Sequence, residues 1–190
     1  MLALFYIVLP LVAAASPRLT TRAIPDEAFT LYGYGEGLGG LPVYYDNGIA
    51  YIGEVSFVNS SQAAQVAFTE GTTSTTLVAN PNNTAAGTNA TWSNLTYFLP
   101  GTTNTDHQTG FASNVSASDV TTGFTFYGKT LLNKDTSGSL QSLWYAVQNT
   151  DDINYQLKWN STGADEDGAI SIVLRSVEPT KPTSSAPDRT

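Results

Sequence analysis

The chain has 190 residues, a formal net charge of −8, 13% charged and 41% hydrophobic residues, and no Cys. That is one ordinary globular domain, with about half the usual share of charge, so its surface is wetted mainly by Ser, Thr, Asn and Gly. The acidic excess without a basic cluster excludes a partner held through its phosphates, nucleic acid included, and zero Cys with a single His removes thiol catalysis, thiolate metal sites, disulfides and most imidazole chemistry.

Leu2 to Ala15 is an almost unbroken apolar run, interrupted by Pro10 and ending in Ala13-Ala14-Ala15. The small-residue end predicts a secretory signal over residues 1–15, although its N-terminal region lacks Lys and Arg. A membrane span needs about 20 apolar residues, and Ser16-Pro17-Arg18 follow this shorter run at once. Residues 16–27 read as an irregular leader, 28–177 as the body, and 178–190 as a Pro/Ser/Thr-rich tail, either a tether or a frayed terminus. A GPI signal would need a hydrophobic tail there instead.

Within the body the apolar period is two almost everywhere. Tyr155-Gln156-Leu157-Lys158-Trp159 puts its apolar residues on one face and Gln156 and Lys158 on the other, the mark of a half-buried strand. In chain order the same pattern predicts strands at Phe29 to Tyr34, Leu41 to Tyr45, Ile49 to Ile52, Val55 to Val58, Val66 to Thr69, Leu95 to Leu99, Phe124 to Tyr127, Leu143 to Val147 and Ile170 to Val177. Asp46-Asn47-Gly48, whose residues tolerate positive φ, is the strongest hairpin signal. The best helix candidate is a turn or two around Ser60 to Gln65. About ten short strands joined by turns, without intervening helices, predict an all-β, antiparallel, jelly-roll-like sandwich, with a closed β-barrel as the alternative because strand count does not separate the two. A mature chain of this size buries about 70% of its extended surface and needs no disulfide.

Six N-glycosylation sequons start at Asn59, Asn82, Asn89, Asn94, Asn114 and Asn160. A chain this rich in Asn, Ser and Thr would carry roughly three by chance, so the excess is modest. Three of them fall between Asn82 and Thr96, which predicts one shielded face or loop.

The chemistry-bearing residues form no complete set. Gly35, Gly37 and Gly40 satisfy G-x-G-x-x-G, but a phosphate cradle requires a helix to follow, and Leu41-Pro42-Val43-Tyr44-Tyr45 reads as a strand. The stretch is a bend between strands or a loop over a ligand cleft. A glycosidase needs two carboxyls about 5 to 9.5 Å apart; Glu36 and Glu54 are the least unfavourable candidates, with Asp119, Asp151, Asp152 and Glu178 near strand ends. Asp165-Glu166-Asp167 has same-face spacing but precedes Gly168 and reads as a turn or a weak Ca²⁺ site. His107 lies in a polar loop, and no nucleophile elbow such as G-x-S-x-G accompanies it. No cofactor and no metal centre are implied.

The aromatic load is heavy, with 3 Trp and 10 Tyr, and sugar rings stack on exposed aromatics while amides and carboxylates bind their hydroxyls. Trp159 alternates with Tyr155 and Leu157 and reads as core. Trp144 is offset by one from Leu143, Tyr145 and Val147 and should face the other way. Tyr32 and Tyr34 share a face beside the Gly-rich stretch. These residues predict a platform of Tyr32, Tyr34 and Trp144, set against the plainer reading that all three are core.

The segments Phe29-Thr30-Leu31-Tyr32-Gly33-Tyr34-Gly35, Pro42 to Gly53, Gly123-Phe124-Thr125-Phe126-Tyr127-Gly128 and Leu143-Trp144-Tyr145-Ala146, with the apolar leader and the absence of Cys, make the chain resemble small secreted proteins of filamentous fungi over most of its mature length. The resemblance implies a place outside the cell or in its wall and supplies no catalytic residues. The expectation is a secreted, glycosylated, non-catalytic domain at the cell surface or wall with weak polysaccharide binding. The rivals are a hydrolase whose two acids come from distant strands and a secreted host-directed effector.

Overall fold

The computed structural model describes residues 21–86, 89–150, 153–160 and 166–180. The expected signal at 1–15, the leader up to residue 20, Asp151, Asp152, Asp165 and the tail from 181 lie outside them. Among the described residues the strands are β1 (Thr21–Arg22), β2 (Tyr32–Gly35), β3 (Leu38–Asp46), β4 (Ile49–Ile52), β5 (Ala64–Glu70), β6 (Leu77–Pro81) and β7 (Leu95–Phe98). They continue as β8 (Gly110–Ala112), β9 (Phe124–Tyr127), β10 (Thr130–Lys134), β11 (Leu140–Gln141), β12 (Trp144–Gln148), β13 (Tyr155–Trp159) and β14 (Ile170–Arg175). The one α-helix among them, α1 (Asn83–Ala86), is a single turn.

The chain is all-β and antiparallel, and the alternative of a closed barrel describes how the strands join. Ten strands form a ring in the order β2-β3-β5-β6-β7-β8-β4-β13-β12-β14, closed by the β14–β2 pairing. Closure removes the unpaired edges that an open sheet would expose. Strand β3 is the hub. Its first half pairs with β2, Tyr44 and Tyr45 pair with β5, and Val43 to Asp46 pair with β4. The β3–β4 hairpin turns at Asn47 and Gly48, with φ of 50° and 86°, the double positive φ of a type I′ turn. Outside the ring, β9 pairs with β1 and β10, and β10 with β11 and the end of β14.

Period-two alternation fills the interior. In β3, Val43 joins the main core, whereas Tyr44 turns outward and builds a smaller cluster with Val55 and Ala63, stacked on Tyr51 at 5.2 Å between centroids. That cluster explains two departures from the sequence reading. Val55–Phe57 is a 3₁₀ turn and not a strand, because the turn tucks Val55 against Tyr44 and leaves Phe57 exposed. Residues 60–65 form a turn entering β5 and not a helix, since Ala63 and Ala64 are both drawn inside.

Strand β10 carries no clear sequence signal because its inner face reads Leu131 then Asn133, a polar residue at a core position. Asn133 is buried all the same and donates its side-chain N–H to Thr122 O at 2.9 Å.

Candidate functional site

The antiparallel β2–β14 pair sets Tyr34 opposite Val173 and Tyr32 opposite Arg175. Cross-strand partners share a face, so both tyrosines stand on the outside of the barrel, where they are half-buried. A register shift between Gly33 and Tyr34 leaves Gly40 as an extra residue in β3, and the Tyr34 ring lies where a side chain at residue 40 would be. The Arg175 guanidinium sits 5.5 Å from the ring centroid, within cation–π range. The Tyr34 hydroxyl donates to Val177 O at 2.7 Å. Tyr34, Gly39, Arg175 and Glu178 line an open groove of about 410 Å³. Beside it, burial and then the Glu178 charge push the Tyr32 phenol above its ordinary value. Two of the three expected aromatics are therefore brought together, next to a cation and a carboxylate.

Trp144 does not join them. It is 1% exposed and packs edge-to-face on Trp159 at 4.7 Å. The register pairs Trp144 with Trp159 and Ala146 with Leu157, so the inner face of β12 is the Trp144 face, and Leu143 is exposed. Of the two readings the sequence leaves for Trp144, platform and core, its place is the core one. The Trp144 indole N–H donates to Tyr97 Oη at 3.2 Å, and Tyr97, on the β7 side of the barrel, is also hydrogen-bonded to the Thr109 side chain. Thr109 in turn donates to Leu157 O at 2.6 Å. Full burial pushes the Tyr97 phenol up to about 12. These links tie opposite sides of the barrel through its core.

The described candidate carboxylates sit on separate elements. Glu36 is exposed in the β2–β3 turn, while Glu54 follows Gly53, whose N–H donates to Pro42 O. The stretch of β3 from Leu38 to Pro42 sets these backbone anchor points about 13 Å apart at strand rise. Asp119 accepts the Gly101 N–H, and Glu178 belongs to the Tyr34 groove. The Gly-rich stretch turns directly into β3, the strand that sequence required and phosphate binding forbids.

One polar cluster is new. On the outer face of β12 and β13, Tyr145 pairs with Lys158; Lys158 is only 6% exposed. Its Nζ lies 3.0 and 3.1 Å from the two Glu166 carboxylate oxygens and 3.7 Å from Asp106. The Tyr145 hydroxyl donates to Glu166 at 3.1 Å, and the His107 ring meets the Tyr145 ring edge-on at 6.5 Å. The 106–109 loop reaches this place because it lies along β13, with the Trp159 N–H donating to His107 O and the Thr109 N–H to Leu157 O. Nothing in the sequence joins residues 106, 145, 158 and 166; Lys158 read as a solvated outer position. Glu166 thus closes as a clasp on a buried lysine. Among the described residues no group of three or more His, Cys, Asp and Glu could hold a metal ion.

Desolvation at the cluster raises the Glu166 carboxyl, but the Lys158 and Tyr145 hydrogen bonds together outweigh it and hold the carboxyl below its ordinary 4.5. A group depressed on folding adds stability above its unfolded pKa, and this is lost as pH falls through the folded value. Thermal melts from pH 6 to 3 should show a loss of stability setting in below about 4.5, part of which Glu166→Gln removes. The share is about 1 kcal/mol or less, because Glu166 is 40% exposed and screened by solvent.

The sequon asparagines all reach the surface. Asn59, Asn89, Asn94 and Asn114 are exposed, and Asn82 and Asn160 are half-buried. Gln62 accepts from the Thr91 N–H and hydroxyl and from the Trp92 indole, which brings the Asn59 sequon beside that at Asn89, and the Asn83 amide donates to Ala90 O and ties in the Asn82 sequon. No helix among the described residues is long and apolar enough to cross a membrane. Set beside known proteins, the chain matches no family model, no curated protein and no solved structure.

Proposed function

We propose that the chain is a secreted, glycosylated, non-catalytic domain that acts at the cell surface or wall and binds polysaccharide weakly on the outer face of β2 and β14. The observation that carries this reading is the pair of half-buried tyrosines beside an open groove. Tyr34 offers a ring, Arg175 donors and Glu178 acceptors, the mixture that neutral sugars require. The six sequons and the apolar leader support the extracellular address.

The test is co-sedimentation of the purified protein with insoluble chitin, β-glucan, cellulose and mannan, with the supernatant assayed for released sugar. Retention on at least one polymer, with no sugar released, is the expected result. Tyr34→Ala should weaken it by about 1 kcal/mol, roughly fivefold, while Tyr34→Phe, which keeps the ring and loses only the bond to Val177, should retain most of it. Sugar release abolished by Glu36→Gln or Glu54→Gln would replace this reading with a hydrolase. Absence of retention on all four polymers would end the polysaccharide reading.

A further inference from the structure

A second cavity lies between the segment after β7, the segment before β9 and the β10–β11 hairpin. Its volume is about 330 Å³, and its wall includes Leu99, Val120, Asn133, Lys134, Gln141 and Trp159. It is narrower than the Tyr34 groove and shares no residue with it. Its walls are tied down: Leu99 and Val120 exchange both backbone hydrogen bonds at 2.9 Å, and the Lys134 N–H donates to Gly123 O at 2.7 Å. Trp159, 3% exposed, contributes the remaining uncovered part of its indole.

The polar groups define what such a cavity accepts. Asn133 is 4% exposed and lines the cavity; one amide hydrogen goes to Thr122 O, which fixes the carboxamide and leaves its oxygen as the acceptor end of the group. A carboxamide oxygen at a cavity wall is an acceptor for a ligand hydroxyl. Asp135 accepts four hydrogen bonds from its own hairpin. One oxygen accepts from the Ser137 N–H, the Ser137 hydroxyl and the Ser139 N–H, and the other accepts from Gln141 Nε2 at 2.8 Å. That last bond orients Gln141 and leaves its side-chain oxygen as a second acceptor. Lys134, exposed and without an ion pair among the described residues, supplies donors, as do the hydroxyls of Thr102 and Thr122 on the rim.

A cation finds one carboxylate, already engaged within its hairpin, and an anion finds acceptor oxygens on the inner wall. An uncharged polyol finds acceptors, donors and an indole edge together, and the volume lies at the small end of ligand pockets. We infer that this cavity binds a single uncharged pyranose unit, free or at the end of a chain, independently of the Tyr34 groove. The ring hydroxyls donate to Asn133 and Gln141, and the C–H surface lies against Trp159.

The test is ¹⁵N-resolved titration of the purified protein with glucose, mannose, galactose and N-acetylglucosamine, following the Asn133 and Gln141 side-chain amides and the Trp159 indole N–H. At least one sugar should give saturable shifts at all three. Asn133→Ala should weaken binding about tenfold or more, consistent with loss of a buried hydrogen-bond partner. Thr102→Trp, a change at an exposed rim position that fills the entrance without touching the core, should abolish it. Tyr34→Ala should leave it unchanged, which separates this site from the polysaccharide reading. Methyl glycosides binding as well as the free sugars would identify a chain end as the source, and a preference for the free sugar would identify the monosaccharide; both sustain the proposal. Absence of saturable shifts with all four sugars, shifts that persist in Thr102→Trp, or saturation by acetate or phosphate in their place would overturn it.

Discussion

Trp144→Ala should lower the stability of this protein by about 3–5 kcal/mol, the usual cost of deleting a large buried aromatic. For a chain of this size that is a fall in melting temperature of roughly 6–20 °C. Two effects combine. The indole fills the space against Trp159, and its N–H is a hydrogen-bond donor to Tyr97, which is fully buried. Removing it leaves a void and an under-satisfied phenol in an environment that already disfavours charge, as the raised Tyr97 pKa shows. Trp144→Phe separates the terms: it keeps most of the apolar contact and loses the N–H, and should cost about 1–3 kcal/mol. Calorimetric melts of the two variants and the parent provide the check. A Trp144→Ala protein that melts with the parent but loses polysaccharide retention would restore Trp144 to the binding platform.

Gly53→Ala should cost about 2–5 kcal/mol, although it adds only one methyl group. Gly53 follows β4 at φ 146°, a backbone region open essentially to glycine alone, so a side chain there is strained by about 1–3 kcal/mol. The new Cβ would also run into the carboxamide oxygen of Asn154. That oxygen accepts the Glu54 N–H at 2.8 Å, and Asn154 is itself fully buried. Displacing it breaks a bond between the end of β4 and the approach to β13 and leaves a buried acceptor to be satisfied elsewhere, worth about 1–3 kcal/mol. Urea unfolding should show a lower midpoint with an unchanged slope, since the surface exposed on unfolding is the same. Unfolding at the parent midpoint would mean that Asn154 can swing away at no cost.

Both residues mark where local pattern stopped being informative. The alternation Leu143-Trp144-Tyr145-Ala146-Val147 announces a strand with two faces, and β12 is such a strand. Which face is inside depends on its neighbour: pairing with Trp159 and Leu157 on β13 turns Trp144 and Ala146 inward, against the majority of apolar residues on the other face. The outward Tyr145 remains buried because the 106–109 loop and Glu166 cover it. That Tyr32 and Tyr34 share a face was legible because two residues at spacing two do so whatever strand lies beside them; that the face is the outer one was not. Arg175 and Glu178, which complete their groove, are more than 140 residues further along the chain and became neighbours only through the β14–β2 pairing.

The sequence by itself determined the class of this fold. Short runs of period two, the Asn47-Gly48 turn and the lack of any helical period permit only antiparallel β-structure, because these signals act between residues a few positions apart. The tertiary structure decided the rest: that the sheet closes into a ring through β14 and β2, that Lys158 is buried under Glu166, and that Asn133 stands at a core position beside a cavity. Each of these depends on which strands become partners, and partner choice is settled by the summed burial of faces distant in sequence, a quantity that no local window contains.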